Sequence, residues 1–165
     1  MIAVSNTTPL RYLIAIDQEY LLPQLFEKIF IPVAVFEELT DSRTPDKVRH
    51  SLLARPTWLE VRAVPEAGAS PFPLILHRGE RESILLAEAL QADILLVDEH
   101  AGRTLALRRN LPLSGTLGVL ERADNRGLLS DFSQTLKQLK ASGFYITDAL
   151  EEQLLQRHVA RRRLK

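Results

Sequence analysis

The sequence contains no cysteine among its 165 residues. This absence excludes a disulfide-bonded scaffold, a zinc site built on thiolates and a cysteine nucleophile. Aromatic residues are also scarce, at 6%, and the single tryptophan, Trp58, cannot by itself form a base-stacking platform for nucleic acid. A chain of this length suits one domain and can bury a core without covalent cross-links.

The chain has no net charge, because 21 lysines and arginines balance 21 aspartates and glutamates. This balance argues against a strongly basic protein that coats nucleic acid. The charges are unevenly placed, however: residues 1–99 hold 9 basic and 15 acidic residues, whereas residues 100–165 hold 12 and 6. Such a distribution allows an acidic pocket beside a basic surface.

Long apolar runs are missing as well. No segment approaches the roughly 20 apolar residues that a membrane span requires. The first residues, Met-Ile-Ala-Val, lack the basic region that opens a signal peptide. We therefore expect a soluble, cytoplasmic protein without a membrane partner.

Glycine-rich phosphate-binding motifs are absent too. The turn after the first predicted strand reads Ser-Asn-Thr-Thr-Pro at 5–9, without the glycines of a dinucleotide-binding fold, and no P-loop is present. No Gly-x-Ser-x-Gly elbow supports a serine nucleophile. The four histidines are scattered without metal-binding spacing.

What the sequence does contain is a series of short apolar runs that alternate with amphipathic segments. This alternation predicts an α/β sandwich with a mainly parallel sheet. The apolar stripe Leu150, Leu154, Leu155 and Val159 predicts that the last helix docks on the core or on a second subunit. Strands are predicted at 2–4, 28–31, 58–64, 94–97 and 111–113, and helices at 20–26, 45–53, 80–90, 100–109, 116–126, 130–142, from Pro9, from Pro32, and from Asp148 into 161–163.

Ligands of parallel α/β folds bind at the carboxyl ends of the strands, so the residues at those ends are the candidates for function. Magnesium and similar hard cations prefer oxygen ligands. Glu80 and Glu82 have a second interpretation, as acids that stabilise a helix N-terminus. The oxygen-bearing candidates at predicted element ends or first turns are Asn6, Glu38, Glu80, Glu82, Asp98 and Glu99.

The order of these segments resembles the PIN domain, a family of metal-dependent ribonucleases. Residues 6–10, Asn-Thr-Thr-Pro-Leu, are similar to the end of the family's opening strand, and residues 31–39 are similar to its second acidic segment. Residues 79–84 followed by 92–99 look like the third and fourth segments. Residues 111–120 and 143–146 resemble a PIN-like subfamily of prokaryotic proteins.

The resemblance implies a three-layer α/β/α fold around a central, mainly parallel sheet. It implies a single domain over 1–165, with C-terminal helices from about residue 130 onward that pack on the core or on a partner subunit. The implied activity is that of an endoribonuclease, with Mg²⁺ or Mn²⁺ as cofactor and RNA as substrate. The toxin role in a toxin–antitoxin pair, with an antitoxin protein as partner, and a homodimeric state are further implications.

The resemblance also implies roles for individual residues. Asn6 occupies the position of the first aspartate and joins Glu38, Glu82 and Asp98 in the catalytic set. Thr7 and Arg11 would lie on the substrate side, where an arginine can bind an RNA phosphate. Glu80 is the alternative to Glu82 as third acid. The implied metal ligands are Asp98, Glu38, Glu82 and Glu99.

Asn6 is a departure from the family pattern, because an amide oxygen can bind magnesium but brings no negative charge. We therefore expect weaker metal binding than an aspartate would give. This departure keeps open an alternative function, that of a PIN-like module that binds RNA or protein with little or no catalysis. An α/β enzyme acting on a small molecule is a third alternative.

Overall fold

The computed structural model describes residues 1–65, 72 and 75–164. Within these residues, five strands form one sheet in the order β3-β2-β1-β4-β5, and every neighbouring pair is parallel. The carboxyl ends of all five strands therefore lie along one side of the sheet, here called the carboxyl edge. The strands are β1 Ile2–Ser5, β2 Lys28–Pro32, β3 Leu59–Arg62, β4 Ile94–Leu96 and β5 Leu113–Ser114.

Helices connect successive strands, as parallel pairing requires. A 3-10 turn, Glu19–Leu21, precedes the short second helix. The helices are α1 Thr7–Ala15, α2 Leu22–Leu25, α3 Val33–Thr40, α4 Asp46–Leu53, α5 Arg78–Ala89, α6 His100–Arg108, α7 Thr116–Asn125, α8 Phe132–Ala141 and α9 Asp148–Arg163.

The two faces of the sheet are covered by different helices. Ala3 of β1 faces one core, which Leu13 of α1 and Leu120 of α7 help to fill. Val4, the next residue, faces a second core, formed with Ile84 of α5 and Ala106 of α6. Successive strand side chains point to opposite faces, so a strand buried on both faces is apolar throughout. The result is the three-layer α/β/α fold that the sequence predicts.

The C-terminal helices belong to the first of these cores. Phe132 and Leu136 of α8 are buried there, together with Leu154 of α9. Val159, from the same predicted stripe as Leu154, is 47% exposed. The stripe therefore divides between an inner and an outer face of α9.

Helix boundaries differ from the sequence prediction by a few residues. The segment predicted as one helix at 20–26 is a 3-10 turn followed by α2. Pro23 lies in the first turn of α2, where backbone N–H groups have no acceptor within the helix, so the N–H that proline lacks costs no hydrogen bond. Helix α5 begins at Arg78 rather than at residue 80. The Glu80 side chain explains the earlier start, since its Oε2 accepts a hydrogen bond from His77 N at 2.9 Å.

Candidate functional site

Asn6 lies where β1 ends and α1 begins, at the carboxyl edge. Its backbone is extended, with φ −79° and ψ 177°, and its N–H donates to Leu96 O of the neighbouring strand β4. The side chain is 3% exposed and does not cap its own helix. Instead, Asn6 Nδ2 donates to Glu99 Oε2 at 3.1 Å. The amide thereby connects β1 to the start of α6.

The next two residues extend this connection to both sides. Thr7 Oγ1 donates to Glu38 Oε2 of α3, and Thr8 Oγ1 donates to Glu99 Oε1. Hydroxyl donors suit an ionised carboxylate, which accepts hydrogen bonds only. Three consecutive residues at the end of β1 thus hold one acid from α3 and one from the N-cap of α6.

Two glycines leave room for acidic side chains of this region. A Cβ atom at Gly79 would lie 2.7 Å from Glu38 Oε1, closer than a side chain can approach. A Cβ atom at Gly102 would lie 3.2 Å from Glu80 Oε1. Glu80 is buried, and its other oxygen is held by the His77 backbone. The conformations of Glu38 and Glu80 therefore depend on small residues on neighbouring turns.

These side chains surround a space of about 650 Å³, here called the cleft. A neighbouring depression of about 450 Å³ shares Glu38, Arg43 and Arg78 with it and adds Arg11 and Asp41. Acids and arginines thus both line the two adjoining spaces. The described residues that line the cleft are Asn6, Thr7, Thr8, Glu38, Arg43, His77, Arg78, Glu80 and Glu99.

Glu82, predicted as the third acid, points toward the start of α3. Its Oε2 accepts from Ala34 N at 3.2 Å, and its Oε1 accepts from Arg78 Nε at 2.7 Å. Glu80 lines the cleft instead, so the geometry favours Glu80 of the two alternatives that the sequence leaves open. A metal-binding role for Glu82 stays a prediction.

Asp98 follows β4 but points toward the start of α7. Thr116 N donates to Asp98 Oδ1 at 2.8 Å, and Thr116 Oγ1 donates to Asp98 Oδ2 at 2.6 Å. Burial raises the pKa of Asp98, and the nearby Glu99 adds to this rise, while the Thr116 hydrogen bonds oppose it. Asp98 therefore stabilises the loop between β5 and α7. Its predicted role as a metal ligand stays a prediction.

The arginines of the site were mostly missed by sequence reasoning. Arg11 is exposed and lines the depression beside the cleft, and its predicted substrate role stays a prediction. Arg43 and Arg78 line both spaces. Arg78 was detectable in principle, because it directly precedes the Gly79 and Glu80 of a predicted segment. Arg43 lies between α3 and α4 and belongs to no pattern.

The cleft offers carboxylates and an amide to a divalent cation. Within 1–65, 72 and 75–164, no three His, Cys, Asp or Glu side chains form a group that could hold a metal ion. Magnesium, however, keeps several water ligands and is commonly held by one or two carboxylates. Glu38, Glu99 and the amide oxygen of Asn6 fit such a largely hydrated ion, because all three offer oxygen donors in one cleft.

The fold and the cleft define an α/β/α protein with an acid-lined site at the carboxyl edge of a parallel sheet. Residues 2–159 match the family model DUF3368, which describes a PIN domain. The chain therefore belongs to the PIN-domain family, whose members generally have nuclease-type functions and use divalent metal ions. The search of curated proteins found no match to this chain. Among the helices that the structure describes, none has the length and apolar character needed to cross a bilayer.

Proposed function

We propose that this protein is a metal-dependent endoribonuclease that hydrolyses RNA phosphodiester bonds in the cleft. The observation that carries the proposal is a set of hydrogen bonds: three consecutive residues donate to two acids that lie far away in the sequence. Thr7 binds Glu38 from α3, while Asn6 and Thr8 bind Glu99 at the start of α6. Residues separated by up to 93 positions in the chain thus meet at the edge where parallel folds bind their ligands.

Glu38, Glu99 and the Asn6 amide oxygen would hold the ion in this proposal. A bound Mg²⁺ or Mn²⁺ supplies a more acidic water and stabilises negative charge on the phosphate. The role of Thr7 and Thr8 is to fix the two carboxylates, since each hydroxyl already donates to one of them. Carboxylates that are already held in place can bind the ion without a further loss of side-chain entropy.

Substrate binding would use the arginines beside the acids. Arg78 is paired with Glu37 at 2.8 Å and with Glu82 at 2.7 Å, and Arg43 is paired with Asp41 at 2.8 Å. The Arg78–Glu37 and Arg43–Asp41 pairs are solvent-exposed, and such pairs contribute little to stability. An RNA phosphate can therefore replace the carboxylates at small cost and accept paired hydrogen bonds from a guanidinium. Arg11 would extend the same phosphate track.

The proposal is tested by RNA cleavage in Mn²⁺ with the variants Glu38→Gln and Glu99→Gln. Each substitution removes a charge and keeps the shape of the side chain, so we expect cleavage to fall by at least about 100-fold if the residue supports metal chemistry. Glu27→Gln, at an 80% exposed side chain of the loop before β2, is the matched control. Cleavage that survives both cleft substitutions and EDTA would reject this site.

A second candidate function is RNA or protein binding with little catalysis. The specific observation that favours it is the Asn6 Nδ2 hydrogen bond to Glu99, because an amide donor already satisfies an acid that a cation would otherwise neutralise. The length of an RNA fragment after incubation with the protein distinguishes the two functions. A binding module would retain an RNA fragment in the presence of Mn²⁺ without shortening it, and Glu38→Gln would leave its affinity unchanged or tighter.

The most specific part of the proposal is that the protein acts as the toxin of a toxin–antitoxin pair. It predicts that expression of the wild-type protein slows bacterial growth, whereas the Glu38→Gln variant at the same protein level does not. An antitoxin would be a protein that binds near the cleft and restores growth. Equal growth inhibition by both proteins would separate the inhibition from cleft chemistry.

A further inference from the structure

The C-terminal end of helix α7 lies on the side of the sheet opposite the cleft. There, Arg122 Nη1 is 3.4 Å from the sulfur of Met1, which precedes β1, and Arg126 Nη1 donates to Gln24 O of α2 at 3.3 Å. Helix α7 begins beside Asp98 at the carboxyl edge. Its ten residues span about 15 Å, given a rise of about 1.5 Å per residue. The end of α7 is therefore separated from the cleft by roughly the depth of the sheet.

Two adjoining surface depressions, of about 610 and 300 Å³, lie at this end of α7, and Arg161 of α9 lines both of them. None of the described residues that line them is a lysine or an aromatic residue, and their one apolar side chain, Leu129, is buried. The basic side chains are all arginines, here called the arginine patch: Arg122, Arg126, Arg161 and Arg162.

Acids of α7 neutralise only part of the charge of the arginine patch. Arg161 lies 3.3 Å from Glu121 Oε1 and 2.8 Å from Asp124 Oδ2. The same two acids also pair with Arg157 and His158 of α9. The other three arginines of the patch form no ion pair with any residue that the structure describes. Two of these three are four positions apart on α7, where like charges repel each other. The patch therefore presents positive charge to an anionic partner.

We propose that the arginine patch binds the phosphates of an RNA strand at a site separate from the cleft. The inference rests on the proposed function, in which the cleft hydrolyses RNA. Guanidinium groups donate paired hydrogen bonds to phosphate oxygens, so a patch built of arginines without lysine suits this ligand. A protein partner would need apolar or aromatic contacts at the centre of its interface, which the described lining residues do not provide. Without aromatic side chains for base stacking, binding should be independent of base sequence.

Basic residues also stabilise the C-terminus of a helix through the helix dipole, and Arg122 lies in the last turn of α7. This effect needs no ligand and changes only stability. Arg108 separates the two explanations, because it is an exposed arginine in the last turn of α6, which packs on the opposite face of the sheet. The substitution Arg108→Gln removes a similar charge from a similar helix end and is the matched control.

The test is fluorescence anisotropy of a labelled single-stranded RNA of about 20 nucleotides, longer than the usual site of one domain. The RNA is titrated with the full chain in EDTA at several salt concentrations. We expect the double variant Arg122→Gln/Arg126→Gln to bind about tenfold more weakly, since one exposed ion pair contributes up to about fivefold. The slope of log affinity against log salt should become shallower by about 0.7 for each phosphate contact that is lost.

Arg108→Gln should leave both the affinity and the salt slope unchanged. Circular dichroism checks that each variant is folded, and the two single variants give the same comparison if the double variant is unstable. A wild type that does not bind RNA, a patch variant that binds as tightly as the wild type, or an equal loss in the control would overturn the proposal. Displacement of the RNA by polyglutamate at an equal concentration of charges would also overturn it, because the patch would then favour an acidic protein.

The proposed nuclease activity is tested separately. Binding is measured in EDTA, so it does not depend on metal or on cleavage. Failure of the proposed function would appear as a wild-type protein that does not cleave RNA in Mn²⁺, whatever the anisotropy shows.

Discussion

Asn6 Nδ2 donates to Glu99 Oε2 at 3.1 Å, so the end of β1 and the start of α6 are joined by an amide rather than by two acids. An aspartate at position 6 would place a second carboxylate against Glu99. Two like charges at this distance are unfavourable unless a cation or a proton lies between them. The amide thus lets the cleft keep its shape without a bound ion.

This relationship predicts the behaviour of Asn6→Asp. Without divalent cations, the free energy of unfolding should fall by about 1–3 kcal/mol, because a hydrogen bond to a charged acceptor is replaced by repulsion. Added Mn²⁺ should restore the melting temperature, and calorimetry should show tighter Mn²⁺ binding than in the wild type. An unchanged affinity would place position 6 outside the metal site.

Gly79→Ala is expected to impair the cleft with little effect on stability. The added methyl group would lie 2.7 Å from Glu38 Oε1 and must displace this carboxylate. Glu38 is exposed, so it can move without unfolding the protein, and alanine is the better helix former by about 1 kcal/mol. Cleavage and Mn²⁺ affinity should both fall, while the melting temperature stays near the wild-type value.

The matched control is Gly127→Ala after α7, where φ is +70° and no atom of the described residues lies within 4 Å of the added methyl group. Here the expectation is reversed. The left-handed backbone disfavours alanine by about 1–2 kcal/mol, so stability should fall while cleavage per folded molecule is unchanged. If both variants lose activity equally, the loss does not come from displacement of Glu38.

The sequence predicts the centre of this fold better than its periphery. Strands at 2–4, 28–31 and 94–97 are recognisable because both of their faces are buried, which leaves an uninterrupted apolar run. The last strand is predicted at 111–113 but β5 lies at Leu113–Ser114, because a run of two residues has no periodicity that could fix its bounds. The alternation of apolar and amphipathic segments predicts the parallel α/β sandwich, and the resemblance to the PIN domain supplies the three-layer order.

At the candidate site, the sequence does not determine which of two nearby acids faces the cleft. Glu80 and Glu82 are two positions apart on α5, so they point in nearly opposite directions and only one can line the cleft. Sequence reasoning could not choose, because both follow Gly79 in the first turns of the same helix. Asp98 and Glu99 pose the same problem at the end of β4, where successive side chains diverge. Such choices depend on how helices pack on the sheet.

Asp98→Asn separates a structural role from a metal-binding role. Asparagine can still accept from Thr116 N and can donate to the Thr116 hydroxyl, so the loop should stay folded. Burial raises the pKa of Asp98 although the Thr116 hydrogen bonds oppose the rise, so ionisation of Asp98 costs the folded protein stability as the pH rises through the folded-state pKa. The variant should therefore gain stability relative to the wild type as the pH rises toward neutrality.

The same variant should lose RNA cleavage if Asp98 binds the metal as the resemblance implies. Thr116→Val is the control, since it removes one hydrogen bond to Asp98 and keeps the carboxylate. Full cleavage by a stably folded Asp98→Asn protein would assign Asp98 to the α7 loop alone.

The attachment of α9 to α7 predicts a dependence of stability on pH. Burial alone would raise the pKa of Asp124, but hydrogen bonds from His158 and Arg161 outweigh this effect and hold the pKa below its usual range. The contribution of Asp124 to stability is therefore complete above the ordinary aspartate pKa of about 3.9 and is lost as the pH falls through the lower folded-state value.

Asp124→Asn should consequently destabilise the protein at neutral pH, by about 1.5–3 kcal/mol for the lost charged hydrogen bonds. The deficit should shrink in acid, where the wild type loses the same contribution. Hydrogen exchange should show the loss concentrated in α9, because His158 and Arg161 are released from α7. Asp46→Asn, at a 76% exposed side chain of α4, controls for the removal of a carboxylate. A deficit that stays constant with pH would show that the ionised Asp124 does not hold α9 in place.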